Sequence, residues 1–254
     1  GFKAAVNPAA MPPELKMKIP AVKDFVRFSD PTTHVFEMGL KRFEEKRTFN
    51  VDANVLSFFS FRLLKGNAAT ALNRPDAVLL TEDMAKKYFG DDDPLGKILR
   101  MDNKDNVTVT GVLQNIPANS HLQFDFLMPM SAIAQSNDDL KNNRWDNFNF
   151  YSYIRLDKGT GSTGAGLPTV EKQLDKIYKE HVDEKVLKNV LFYLQPLTDI
   201  HLRSKLQADM EGHGNIQYVN IFFVVAIFIL VVACINFMNL ATARSARRAK
   251  EVGL

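Results

Sequence analysis

From Val219 to Ala241 the chain runs for 23 residues without a charge, and no other feature restricts its architecture as much. As an α-helix rising about 1.5 Å per residue, that stretch covers about 34 Å, enough to cross a hydrocarbon core about 30 Å thick. The sequence "NIFFVVAIFILVVACINFMNLA" is apolar around the whole helix, whereas a helix packed on a soluble core keeps one polar face. The pattern therefore predicts a transmembrane helix over residues 218–241. The competing assignment, a helix buried at the centre of a soluble fold, is disfavoured because a domain of this size rarely hides so long an uncharged segment.

The flanks orient the span. Arg244, Arg247, Arg248 and Lys250 follow it closely, while Tyr218 and the glycine-containing "EGHGNIQ" precede it. An excess of Lys and Arg marks the cytoplasmic side, so residues 242–254 are expected inside and residues 1–217 outside. Together with Glu251, those four are the only charged residues after position 217, and they sum to the +3 of the whole chain. The outer part is thus neutral, without the basic stripe that nucleic-acid binding requires, and no nucleic-acid partner is expected. Asn236 and Asn239 lie three apart near the inner end of the span, placed either to bond a neighbouring helix or to reach the headgroups; helix contact is the preferred reading. The start at Gly1 without a methionine and the end at Leu254 in mid-pattern fit an excised segment of a longer protein.

The outer part reads as mixed structure. Four prolines break up "NPAAMPPELKMKIP", which is expected to be extended with a short turn around residues 14–17. "AVKDFVRF" and "KRFEEKRTFNV" alternate like half-buried strands, and "ANVLSFFSFRLLKG" suggests a short helix turning into a strand that ends at Gly66. "AVLLT" is a compact apolar strand leading to the helix "EDMAKKYF", with Thr81 as its cap, Glu82 and Asp83 in its first turn and Gly90 as its stop. "DNVTVTGVL", the end of "NIPANSHLQFDFLMPM" and "NFNFYSYIRL" follow as strands. An amphipathic helix between Thr169 and Val186 carries Val170, Leu174, Ile177 and His181 on one stripe, and "NVLFYLQPL" is expected to return as a strand. Without a strict strand-helix-strand rhythm the class is α+β.

Several motifs invite chemistry and do not support it. "GTGSTG", residues 159–164, has dinucleotide-loop spacing, but "AGLP" separates it from the following helix, so its glycines cannot deliver a phosphate to free helical N–H groups. "GDDDP" gathers three adjacent carboxylates that cannot all face one calcium ion, and it reads as a solvated helix exit. His34, His121, His181, His201 and His213 show no zinc spacing, and His181 is expected to be a half-buried packing residue. Cys234, the single cysteine, lies in the span, so an intramolecular disulfide and a CxxC site are ruled out. No cofactor, metal or catalytic residue is expected.

"VLLTEDMAKKYFGDDDPLGKIL", "VTVTGVLQNIPANSHLQFDFLMPM", "LQPLTDIHL" and "ACINFMNLATARSARRAKEVGL" together resemble the FtsX-like permease subunits of MacB-type ABC transporters, in order over most of residues 20–254. The resemblance implies an inner-membrane permease with a large periplasmic domain, of whose four membrane helices this chain would hold the second. It implies two permease copies working with a separate cytoplasmic ATPase, allows a periplasmic adaptor, and gives the chain itself no enzymatic role. It implies a two-lobed periplasmic domain: a discontinuous porter-like lobe, residues 1–72 with 147–217, and an inserted lobe, residues 73–146. "RSARRAKEVGL" matches the start of the family's coupling segment at Arg247, Arg248, Glu251 and Gly253, with Arg244 and Lys250 as membrane anchors. The main rival is a sensor domain signalling through a single span, which shares the outer domain and the basic inner end.

Overall fold

A computed structural model describes residues 3–161, 166–183, 190–204, 206–207, 210 and 216–253. It divides into two units, Gly1–Leu197 with Lys205–Gly212, and Thr198–Ser204 with His213–Leu254.

In the first unit the prolines open a helix instead of breaking the chain. After the two-residue strand β1 (Val6–Asn7), helix α1 (Met11–Lys18) has Pro12 and Pro13 in its first turn, where no intrahelical N–H bond is lost. The expected short turn is therefore a full helix of 8 residues, with Met11 and Leu15 buried. The strands β2 (Val22–Ser29), β3 (Thr32–Met38) and β4 (Lys41–Val51) follow, then the short helix α2 (Val55–Phe59) and β5 (Leu63–Gly66). Next come β6 (Ala77–Thr81), α3 (Glu82–Phe89), β7 (Ile98–Met101), β8 (Asp105–Leu113) and β9 (Phe126–Pro129). One 3-10 turn, Met130–Ala132, and a single helical turn α4 (Asp138–Lys141) lead to β10 (Phe150–Leu156), α5 (Lys158–Gly161) and α6 (Leu167–His181). The α+β class stands.

Hydrogen bonding connects these strands in a way local patterning does not announce. β4 is antiparallel to β3, β3 to β7 and β7 to β8; β8 is parallel to β6, β6 antiparallel to β9, and β9 parallel to β4. The path closes into a six-stranded ring, which leaves none of its members as an open edge. Its apolar filling includes Phe36, Val78, Leu80, Leu99, Val107, Val109 and Phe126, with Tyr88 and Phe89 of α3 packed against them. Phe36 and Phe126 stack at the centre, 4.4 Å apart and within 7° of parallel. Beside the ring, β4 also touches β2 at Val51↔Phe28, and β2 continues through β10 to β1. Phe28, Phe49, Val51, Leu79 and Leu127 fill the core on that side. Gly66 lies opposite Gly111 with φ +100°; a Cβ at Gly66 would sit 2.4 Å from the Thr110 carbonyl oxygen, so this close approach requires glycine.

A third core layer joins α1 to α6. Val170, Leu174, Ile177 and Tyr178 of α6 are buried against Met11, Leu15 and Ile19, with Trp145 alongside. The alternation of "NVLFYLQPL" is real, since Val190, Phe192 and Leu194 pack on this layer, but the described residues 190–196 are not a strand. The Phe192 and Leu194 N–H groups donate to the carboxylates of Asp175 and Glu171 on α6 at 3.4 and 2.7 Å, so side chains take the bonds a partner strand would have supplied.

Thr81 occupies the N-cap position of α3 in extended conformation but makes no capping bond. Asn115 does that work instead: its Oδ1 accepts from the Asp83 N–H at 3.1 Å, and its own N–H donates to Glu82 Oε2. Gly90 ends the helix as expected, with φ +63° and its N–H bonded to the Lys86 carbonyl. Of "GTGSTG", residues 159–161 belong to α5 (Lys158–Gly161), and residues 162–164 lie outside the described residues.

Candidate membrane anchor and coupling segment

The second unit contains α7 (Leu197–Arg203) from Thr198 onward and the long helix α8 (Ile216–Val252). No glycine or proline interrupts α8 over its 37 residues, and strong helix formers with β-branched apolar residues fill it. The expected span, 218–241, and the expected inner segment, 242–254, are thus joined in one helix through Val252.

Within Ile216–Ser245 none of the apolar window is buried against protein. Phe222, Phe228 and Phe237 are 70%, 68% and 73% exposed, and the large aliphatic side chains between them are similarly bare. Water does not tolerate an apolar surface this long on one helix, whereas acyl chains do. A helix also satisfies its own backbone groups, which is what hydrocarbon demands of a spanning segment. Thr242, near the inner end, donates its hydroxyl to the Met238 carbonyl at 2.8 Å and so needs no outside partner.

A step of three residues on a helix turns about 60° short of a full circle, so Asn236 and Asn239 share one face. Arg247, about three turns beyond Asn236, falls on that face again, and Arg244 and Arg248 flank it. The three arginines are exposed and stand within the last three turns of the helix. Lys250 and Glu251 belong to the last turn, and Gly253 follows the helix; the side chains of Lys250 and Glu251 lie outside the described residues. The helix thus carries the expected membrane-contact and anchor positions, and the expected coupling positions up to Glu251, on one continuous rod.

Elsewhere the motifs set aside in the sequence have structural partners. Asp92 pairs with Lys97 and Asp93 with Lys65, and those ammonium groups hold both carboxyls below the usual range. His34 bonds Asp102 and Thr32, and His121 bonds the Tyr153 hydroxyl. His181 stacks on Trp145, in keeping with its place on the apolar stripe, but it is an exposed residue and not the half-buried one expected, and it also bonds Glu14 across from α1, which local sequence does not signal. Among the described residues no group of three or more His, Cys, Asp or Glu could hold a metal ion.

Residues 3–170 match the family model described as the MacB-like periplasmic core domain. Three solved structures share the fold. A domain of a permease protein from Porphyromonas gingivalis is 26% identical with a TM-score of 0.63, over 76% of this chain and 84% of that one. The periplasmic region of MacB from Actinobacillus actinomycetemcomitans is 15% identical with a TM-score of 0.51, over 76% and 85%. The extracellular domain of the noncanonic ABC-type transporter YknZ from Gram-positive bacteria is 15% identical with a TM-score of 0.51, over 70% and 91%. No curated protein matches the chain by sequence.

Proposed function

The chain belongs to the MacB-like periplasmic core domain family, and from that premise we propose that it serves as the noncatalytic periplasmic and membrane-linking part of an ABC-type transporter permease. ATP is hydrolysed by a separate cytoplasmic subunit. The permease acts as a pair of copies, with a periplasmic adaptor as a further partner, and motion driven from inside passes along α8 to export or remodel a substrate of the envelope. The observation that carries this reading is a family domain on the same chain as a helix whose apolar surface is wholly uncovered and whose end is basic.

In this reading residues 1–217 are periplasmic and residues 242–254 cytoplasmic, by the charge asymmetry of the flanks. Arg244 and Lys250 anchor the helix at the headgroups, Asn236 and Asn239 bond a neighbouring membrane helix, and Arg247, Arg248, Glu251 and Gly253 meet the ATPase. The division into a porter-like part, 1–72 with 147–217, and an inserted part, 73–146, belongs to the same proposal. The ring takes β3 and β4 from the former and β6 to β9 from the latter, so movement between the parts has to pass through those shared strands.

Cysteine labelling in a Cys234→Ser background tests the topology. A cysteine replacing Ser204 should react with an impermeant thiol reagent added outside, and one replacing Ser245 should not; the reverse pattern would sink the assignment. Coupling is tested by Glu251→Ala in the membrane-inserted protein. Losing a partly buried charged contact to a partner costs about 2–5 kcal/mol, so ATPase recruitment or coupled turnover should drop while insertion persists. Wild-type assembly and function in this variant would return Glu251 to an ordinary surface role.

A further inference from the structure

The sequence has one tryptophan, and neither the ring nor the membrane helix uses it. Trp145 is 9% exposed, and its indole lies flat against the His181 imidazole, with ring centres 4.0 Å apart and planes within 8°. His181 is the last residue of α6, and its Nε2 donates to Oε1 of Glu14 on α1 at 2.8 Å, across 167 positions of sequence. Lys18, one turn along α1, pairs with the same Glu14 oxygen and with Glu180 Oε2, the latter at 2.7 Å.

The charged groups facing this site come from three elements. α1 supplies Glu14 and Lys18, α6 supplies Glu180, and the loop carrying Trp145 supplies Asp146, which is already held by Arg144 at 2.9 Å. Burial opposes ionisation of Glu14, but hydrogen bonds from Lys18 and His181 outweigh it and leave the carboxyl below its usual range. Glu14 is therefore an anion throughout the range in which histidines titrate. With a neutral imidazole, Glu14, Glu180 and Lys18 sum to one negative charge; a proton on His181 balances the set. That proton also makes the Glu14 bond charge-assisted, puts a cation on the indole face and adds positive charge at the C-terminal end of α6.

We propose that His181 is a proton-operated clasp between α1 and α6, fastened when the imidazole is charged and eased when it is neutral. The seam beneath it is apolar, built on Met11, Leu15, Val170 and Leu174, so the two helices stay packed in either state and the proton alters only how tightly their ends are held. An outer domain exposed to the medium thereby gains a joint that answers to acidity.

The single tryptophan makes this measurable on the full chain in detergent. Emission from Trp145 is followed between about pH 8.5 and pH 5, because an imidazolium quenches an indole stacked on it. The expected result is a reversible, one-proton quenching on acidification, lost in His181→Gln. Glu14→Gln keeps the stack but removes the anion, and should move the midpoint to lower pH. Coupling is reciprocal, so that displacement reads how much the proton tightens the bond between the helices. Circular dichroism at about pH 8 verifies that both variants fold, each change being at a partly exposed side chain. A flat wild-type profile, quenching that survives His181→Gln, or a midpoint unmoved by Glu14→Gln would each overturn the clasp.

Discussion

The first unit and α8 treat apolar side chains in opposite ways. In the first unit Phe36, Phe126, Leu99 and Val26 are fully enclosed, and each large side chain finds protein on every side. In α8 the equally large Phe222, Phe228 and Phe237 find none. Both segments are rich in the same residue types, so composition does not separate them. What does is spacing: strands alternate and α6 repeats its apolar residues every three or four positions, whereas α8 has no polar side to turn toward water. A periodic pattern builds its own solvent; an aperiodic apolar run needs one supplied.

The strongest way to break this contrast is truncation of an enclosed ring. Phe126→Ala should cost about 3–5 kcal/mol of unfolding free energy, read by denaturant titration, because it empties the centre of the strand ring. Phe228→Ala should leave the same transition where it was, since its side chain touches no core. Next in size is a charge at mid-span: Leu230→Asp should disfavour insertion by about 2.5–3.5 kcal/mol and shift the protein from the membrane fraction, with the first unit still folded. A membrane yield equal to wild type would show that α8 is not solvated by lipid.

Acid should also separate the two. Burial opposes ionisation of Asp24 and Asp102, yet bonds from Lys16, the Phe25 N–H and Asn54 to the first, and from the Val35 N–H and His34 to the second, leave both carboxyls below the ordinary range. A depressed folded-state value means stability that is fully present above the unfolded value of about 3.9 and disappears as pH falls through the folded one. Thermal melts of the first unit should therefore weaken below about pH 4, while the helicity of α8 in micelles, where one acid occurs in 37 residues, stays constant. The smallest test concerns the start of α3. Asn115→Ala should cost about 0.5–2 kcal/mol as a lost cap. Thr81→Val, which removes a buried hydroxyl that makes no hydrogen bond among the described residues, should change stability by less than about 1 kcal/mol.

Thr81 and Asn115 also mark where sequence stops being informative. A threonine before an acidic first turn is a sound cap signal, but the residue that caps α3 lies more than thirty positions away and is brought there by β8. The same holds for strands. β2, β4, β6, β8 and β10 are legible because alternation and turn residues are local. β3 is not, because only Phe36 of "TTHVFEM" is buried and its pairing polar neighbours mask the period. Closure of the ring through β4 and β9 depends on Thr48 meeting Phe126, a contact no window of residues contains. The prolines of α1 are expected to break the chain but sit in the first turn of a helix, where they cost no bond, and segment 190–196 keeps its apolar alternation while bonds to Asp175 and Glu171 replace those of a partner strand. The long apolar helix, by contrast, is legible almost whole, since its candidacy as a span rests on what it lacks. The expected anchor and coupling positions rest on charge and resemblance, and the helix adds only a common axis.

That axis has a mechanical meaning. At about 1.5 Å per residue, 37 residues make a rod about 55 Å long, well beyond the bilayer's apolar thickness of about 30 Å. With no glycine or proline to absorb bending, a tilt of about 10° around its midpoint carries each end sideways by about 5 Å. In the proposed setting lipid around the middle of this rod would act as a fulcrum: a small rocking imposed at the arginine end would be delivered at the other end with its direction reversed and its amplitude preserved, with no change of bonding along the shaft.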